Sequence, residues 1–187
     1  MYKQTSKKGY DLSEVISALQ KCVRRGLEAE AMYWTVELYE SGFDEYCWKR
    51  LRIMASEDVG LAEPLMPASI AALYQLYQEL KKKKDEHQRP ERLPLTHAVF
   101  LLCRARKSRV IDNALVHFWG SHNETRLEVP DFALDKHTAR GRTMGRGFGH
   151  FLEVGAHLEN LGQVEGEQQY REMFSRTVSP TPLFGHE

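Results

Sequence analysis

The sequence predicts an all-α fold of about seven or eight helices. Three observations carry that reading. Apolar residues recur at three- and four-residue spacing through most of the segments that Gly and Pro mark off. No segment sustains the period-two alternation of a half-buried strand, and no unit repeats at a fixed period. At 187 residues the chain is long enough to bury a core of its own.

The first helix is read in "DLSEVISALQKCVRRG", where Leu12, Val15, Ile16, Leu19 and Val23 share a face, Asp11 offers a cap and Gly26 a stop. "LEAEAMYWTVELYESG" opens with acids, carries a broad apolar and aromatic band and ends at Gly42, the pattern of a helix packed on two sides. "DEYCWKRLRIMASEDVG" follows with Asp44 as its expected cap, Cys47, Leu51, Met54 and Ala55 aligned, and Gly60 as its end. In "MPASIAALYQLYQELKKKK", Pro67 suits the first turn, Ile70, Leu73, Tyr74, Tyr77 and Leu80 keep helical spacing, and the lysines suit the C-terminal dipole.

A charge run, "KKKKDEHQRPER", reads as a solvated helix end and connector over residues 81–92. "LPLTHAVFLLCRARKS" starts with Pro94 and is apolar nearly all round, which predicts the central buried helix. "SRVIDNALVHFWG" aligns Val110, Ile111, Ala114, Leu115 and Phe118. Beyond an irregular segment at Pro130, "GFGHFLEVGAHLENLG" places Phe148, Phe151, Leu152, Gly155 and Leu158 at helical spacing, and a short helix is expected near "EGEQQYREMFSRTV". The expected organisation is a polar extension over residues 1–9, a helical domain over 10–160, and a short helix with a mobile tail, "SPTPLFGHE", over 161–187.

Twenty-six basic and twenty-six acidic residues cancel, so whole-chain charge predicts neither a nucleic-acid binder nor a membrane-surface protein. No apolar run approaches the roughly 18 residues needed to span a bilayer, and the N-terminus lacks the apolar segment of a signal peptide, so a cytoplasmic protein is expected. Cys22, Cys47 and Cys103 are far apart and flanked by apolar residues, which suits buried thiols better than a disulfide framework or zinc site.

Most candidate chemistry is weak. His150, Glu153 and His157 share a segment, but the histidines are two turns apart where a zinc helix presents them at i and i+4, so no metal is expected. Ser108, His117 and Asp112 form a chance triad without a nucleophile elbow, and no glycine-rich loop ending in Gly-Lys-Ser or Gly-Lys-Thr exists to cradle nucleotide phosphates. No catalytic residue or cofactor is expected. The best local candidate for a nucleic-acid or phosphate contact is "DKHTARGRTMGRGFGH", where glycines punctuate Lys136, His137, Arg140, Arg142 and Arg146. The alternative is a tight turn whose arginines pair with acids of this protein.

"MASEDVGLAEP" is the other unusual segment, because Glu57 and Asp58 stand where a helix runs out and unpaired carbonyls disfavour carboxylates by roughly 0.3 to 1 kcal/mol. Compensation is expected from backbone amides of the next turn, or from Arg50, Arg52 or a basic residue such as Lys107.

Together "YDLSEVISALQKCVRRG", "EAEAMYWTVELYESGFD", "RLRIMASEDVGLAEP" and "LPLTHAVFLLCRARKS" stand in the order and spacing of one family. The chain resembles, from Tyr10 to Ser108 and more weakly to "HTARGRTMGRG", the C-terminal helical region of the replication-associated recombination ATPases, the RarA or MgsA group. The resemblance implies a clamp-loader-collar-like helical domain that mediates tetramerisation, with Ser56, Glu57, Asp58, Gly60, Leu61, Ala62 and Pro64 as the family pattern at a helix junction, and Lys107 and Ser108 closing the matched region. Family members place an AAA+ motor before this region, and no such motor is read here. The resemblance therefore implies a non-catalytic protein that self-associates as a dimer or tetramer, with a separately encoded ATPase or another replication or repair protein as the candidate docking partner. The alternatives are a DNA-binding module using residues 136–146, and an enzyme acting on a phosphorylated substrate near Glu57, Asp58 and His137.

Overall fold

The computed structural model describes residues 4–82 and 88–177. Residues 83–87 of the charged connector, and the tail expected to be mobile, lie outside the described residues. The chain divides into two compact units, Met1–Arg126 and Leu127–Glu187. The all-α expectation holds: among the described residues the only β-type pairing is an isolated bridge between Thr5 and Asp11.

Among the described residues the first unit holds six α-helices: α1 Leu12–Arg24, α2 Glu28–Glu40, α3 Asp44–Met54, α4 Met66–Lys82, α5 Arg92–Arg104 and α6 Val110–Ser121. Asp11 caps α1 as read from the sequence, its carboxylate accepting the Ser13 and Glu14 amides at 2.8 and 3.3 Å. Gly26, at φ +69°, turns the chain so that α2 lies back along α1. The expected central helix is α5, which packs on α1, α2, α3 and α4 and buries Leu95, Ala98, Val99, Leu102 and Cys103. With Leu19, Leu38, Trp48, Leu51, Met54, Ile70 and Tyr77 these residues make the core. Each fully buried large side chain contributes about 1.5–3 kcal/mol of transfer free energy.

Two sequence expectations need correction in this unit. Asp44 is not the cap of α3, which has none on a side chain; it is the first helical residue, and its buried carboxylate instead takes the Tyr77 hydroxyl at 2.5 Å and the Lys81 ammonium, tying α3 to α4. The third helix does not stay α-helical to Gly60: it widens into a π-helical turn, Ala55–Val59, followed by a 3-10 turn, Gly60–Ala62. The helix read in "SRVIDNALVHFWG" forms as α6 and meets the turns at 55–62, but none of its residues is buried.

In the second unit, short helices α7 Ala139–Thr143 and α8 Phe148–His150 precede a π-helical turn Phe151–Gly155, and α9 spans Glu167–Thr177. The helix expected through Leu158 stops earlier, and Leu158 is exposed. The short last helix stands where the sequence placed it.

A buried ionic junction and an exposed apolar helix

The π-helical turn answers what offsets Glu57 and Asp58. The extra residue in that turn swings both carboxylates toward α1, where Arg24 donates from Nε to Asp58 at 2.7 Å and from Nη2 to Glu57 at 2.8 Å. Arg109, the residue that precedes α6, donates from Nη1 to the same Asp58 oxygen at 3.1 Å and also pairs with Asp112. Gln20 donates to Glu57 at 3.1 Å. The Asp58 side chain is only 3% exposed, while those of Arg24 and Arg109 are 28% and 45% exposed, so a buried anion is matched by two cations that reach water.

The expected partners Arg50, Arg52 and Lys107 are not the ones used. Arg52 lies over the Tyr74 ring, 4.2 Å from its centroid. Lys107 donates to the carbonyls of Leu102, Ala105 and Cys103 at 2.5, 2.7 and 3.3 Å, closing the C-terminal end of α5 as a cation should. Burial holds its ammonium below the ordinary lysine range. The compensation by backbone amides takes another form, because the Ser108 amide donates to the Asp58 carbonyl at 2.9 Å, and the Arg106 amide to the Glu63 carboxylate at 2.8 Å.

Gly60 completes the junction. Its φ of +48° suits glycine, and a Cβ there would stand 3.0 Å from Ile111 Cγ1, so α6 begins in contact with bare backbone. Ser56 and Pro64 of the same pattern are exposed. What the junction positions is α6, whose outer surface carries Leu115, Val116, Phe118 and Trp119 at 56%, 64%, 67% and 81% exposure. Asp112 is the only charged residue in that helix, and Arg109 takes its charge.

In the second unit the basic segment is folded on itself. Arg146 donates from Nη1 to the carbonyls of Asp131 and Leu134 at 2.7 and 2.8 Å and pairs with the Asp131 carboxylate at 2.6 Å. Arg142 donates to the carbonyls of Lys136 and His137 at 3.3 and 3.2 Å. His137 pairs with Asp135 at 2.8 Å, and Lys136 lies over the Phe148 ring at 4.3 Å. Gly141 serves packing, since a Cβ there would stand 1.9 Å from the Asp135 carbonyl oxygen, and its amide donates to the Thr138 hydroxyl at 3.0 Å. Arg140 is exposed.

The weaker candidates also have definite places. Asp112 is held by Arg109, His117 packs edge-on against Phe118, and His157 pairs with Glu159 at 3.0 Å. Among the described residues no group of three or more His, Cys, Asp or Glu is arranged to hold a metal ion. Glu57 and Asp58 belong to the first unit and His137 to the second. Cys47 and Cys103 are buried free thiols, pushed up to about 12 and about 11 by burial, and Cys22 is half-buried. No described helix is long and apolar enough to cross a membrane.

Sequence reasoning missed Arg24 and Arg109. The only local signals were a basic last turn in α1 and a basic residue three positions before Asp112.

Known proteins place this architecture. Replication-associated recombination protein A of Bacillus subtilis is 30% identical over 161 residues, covering 84% of this chain and 35% of that protein. The protein of the same name from Haemophilus influenzae is 28% identical over 167 residues, covering 88% of the chain and 35% of the relative. The ATPase WRNIP1 of Dictyostelium discoideum is 48% identical over 62 residues, 32% of this chain and 7% of that one. The chain thus spans about a third of the length of the first two relatives. The family described as the MgsA AAA+ ATPase C terminal matches residues 28–171, from α2 into the first half of α9, which takes in Glu57, Asp58, Arg109 and the exposed helix but not Arg24, and to that family this chain belongs.

Proposed function

We propose that this chain acts by assembly rather than by catalysis: it associates with copies of itself, as a dimer or tetramer, and docks within the machinery of DNA replication, recombination or repair. The observation that carries the reading is α6, an almost uncharged helix with Phe118 and Trp119 at 67% and 81% exposure on a rigid ionic base. Monomeric surfaces rarely leave such contiguous apolar area in water. The names of the relatives support a replication and recombination setting, and the chain matches a part of them described as C-terminal to an AAA+ ATPase. On this reading nucleotide hydrolysis belongs to a motor elsewhere, on the same protein or a partner, and the working compartment is the cytoplasm.

Native mass and light scattering across micromolar concentrations test it. The wild-type chain is expected as a dimer or tetramer, and the double variant Phe118→Glu/Trp119→Glu as a monomer with an unchanged circular dichroism spectrum. A monomeric wild type throughout that range defeats the proposal. ATP turnover that copurifies with the chain and vanishes on mutating it defeats the non-catalytic part.

A second reading is that residues 136–146 also contact nucleic-acid phosphates, with no base specificity. It rests on Arg140, which is exposed, and on Lys136, whose ammonium meets ring faces 4.3 and 5.6 Å away instead of a carboxylate.

A further inference from the structure

Arg109 holds two carboxylates with one fork. Its Nη1 donates to Asp58 Oδ1 at 3.1 Å, with Glu57 Oε1 further off at 3.7 Å, and its Nη2 pairs with Asp112 in the first turn of α6. Arg24 donates to that same Asp58 oxygen. The other one, Oδ2, is buried as well, and among the described residues it has no partner. Lys107, the remaining cation beside Asp58, does not supply the missing donor, since its ammonium is spent on three carbonyls at the end of α5. The junction is thus one donor short at its most buried acceptor, where an unmade bond costs more than one given up at the rim. The Asp112 side chain is 22% exposed, so water replaces whatever Arg109 withdraws from it.

A planar guanidinium is suited to meeting a single carboxylate with two parallel N–H bonds. We infer that Arg109 is a two-position clasp on α6: closed when its fork bridges Asp58 and Asp112, open when both Nη atoms turn to Asp58, one to each oxygen, and Asp112 is released to solvent. The clasp controls the posture of α6. Residues 105–109, which join α5 to α6, form no regular element, and α6 has no buried residue. Its packing falls on the turns Ala55–Val59 and Gly60–Ala62, where Ile111 lies against Gly60. Asp112 is the one charged residue within the helix, so its bond to Arg109 is the ionic tie between α6 and the junction. With that tie open, α6 is held by Ile111 and by the chain before it, where the Ser108 amide bonds the Asp58 carbonyl. On the assembly reading, a loosened α6 must be ordered again before two copies pair, and the apparent affinity falls with the fraction of closed clasps.

Hydrogen–deuterium exchange of the α6 amides tests this on the full chain carrying Phe118→Glu/Trp119→Glu, so that self-association does not enter. Raising NaCl from about 50 to about 500 mM screens the Arg109–Asp112 pair and is expected to quicken that exchange about two- to fivefold, the weight of a partly exposed ion pair. Asp112→Asn, added to that chain, should be as fast at low salt, indifferent to salt, and no less resistant to urea, because the freed donor bonds the unpartnered Asp58 oxygen. The same change in an Arg109→Gln background should add nothing, which separates the clasp from the loss of a first-turn charge at the helix dipole. In the otherwise wild-type chain, self-association read by light scattering should weaken several-fold over the same salt range, and Asp112→Asn should abolish that dependence. This last readout rests on the assembly reading: a wild type that is monomeric throughout removes that reading, while the exchange data still decide on the clasp. The inference is overturned by α6 exchange that ignores salt, by parent-like exchange in Asp112→Asn, by an equal effect of Asp112→Asn in the Arg109→Gln background, by a loss of stability in Asp112→Asn as large as that of Asp58→Ala, or by self-association that keeps its affinity in salt.

Discussion

Asp58→Ala probes the ionic junction at its most buried point. The wild-type carboxylate is 3% exposed and takes charge-assisted bonds from Arg24 at 2.7 Å and Arg109 at 3.1 Å. Such bonds contribute about 1.5–3 kcal/mol each when intact. The full sum is not expected, because neither arginine is stranded by the change: Arg24 keeps Glu57 at 2.8 Å, Arg109 keeps Asp112, and both reach water. A loss of about 2–3 kcal/mol follows. Arg24→Ala is expected to cost as much or more, about 2–4 kcal/mol, because it leaves the buried Asp58 carboxylate with only the longer bond from Arg109. Arg109→Ala should cost distinctly less than either, since that side chain is nearly half exposed and its pairs are screened. Asp58→Asn keeps the shape and one acceptor and should fall between wild type and Asp58→Ala. Urea unfolding followed by circular dichroism and by the fluorescence of the fully buried Trp48 reads the series. The reasoning fails if Asp58→Ala lies within about 0.5 kcal/mol of wild type, the range of an ordinary surface substitution, or if Arg109→Ala costs as much as Arg24→Ala.

Gly60→Ala forces a Cβ into a φ of +48° and against Ile111 at 3.0 Å, so a loss of about 1–3 kcal/mol in thermal melts is expected, with an altered oligomer mass if α6 shifts. Burial pushes the Asp44 carboxyl up, but the bonds from Lys81 and Tyr77 outweigh it and hold the group below its ordinary 3.8. Its contribution is therefore complete above that value and is lost as pH falls through the depressed folded value; acid melts should show a drop below about pH 4 that Asp44→Asn lacks. Alkylation at pH 8 followed by mass spectrometry should modify the half-buried Cys22 first, and the buried Cys47 and Cys103 only after unfolding. Arg146→Ala should lower the melting temperature by freeing the Asp131 and Leu134 carbonyls, whereas Arg140→Ala should leave it unchanged and, if the segment binds duplex DNA, reduce the logarithmic salt slope by about one.

The helices were legible where the deciding interactions are local. The Asp11 cap contacts amides two and three residues away, Gly26 and Gly42 stand at positive φ where the pattern stops, and the all-round apolarity of α5 matches its packing on four neighbours. Reading failed where a local pattern fits two outcomes. Asp44 sits where a cap belongs, yet its carboxylate is bound by Tyr77 and Lys81, 33 and 37 residues away. The π-helical turn adds one residue to a helix without breaking its spacing, so "MASEDVG" reads as ordinary α-helix up to Gly60.

The site divides along the same line. That Glu57 and Asp58 needed compensation was legible, because a helix end is electronegative whatever surrounds it. Which cations supply it was not, because Arg24 and Arg109 lie 34 and 51 residues from Asp58 and only the tertiary fold brings them in. A side chain's periodicity likewise gives an apolar face without saying what covers it. In α1 the answer is the core; in α6 it is solvent as far as this chain goes. The two halves of the site therefore make separable demands. Asp58 and Gly60 hold the base of α6 through contacts within the chain, so their loss should register first in unfolding free energy. Phe118 and Trp119 gain nothing from those contacts, so replacing them should leave stability in place and register in oligomer mass. A Phe118→Glu/Trp119→Glu variant that melted early while keeping the wild-type mass would mean that α6 serves its own fold, and the assembly reading would lose the observation it stands on.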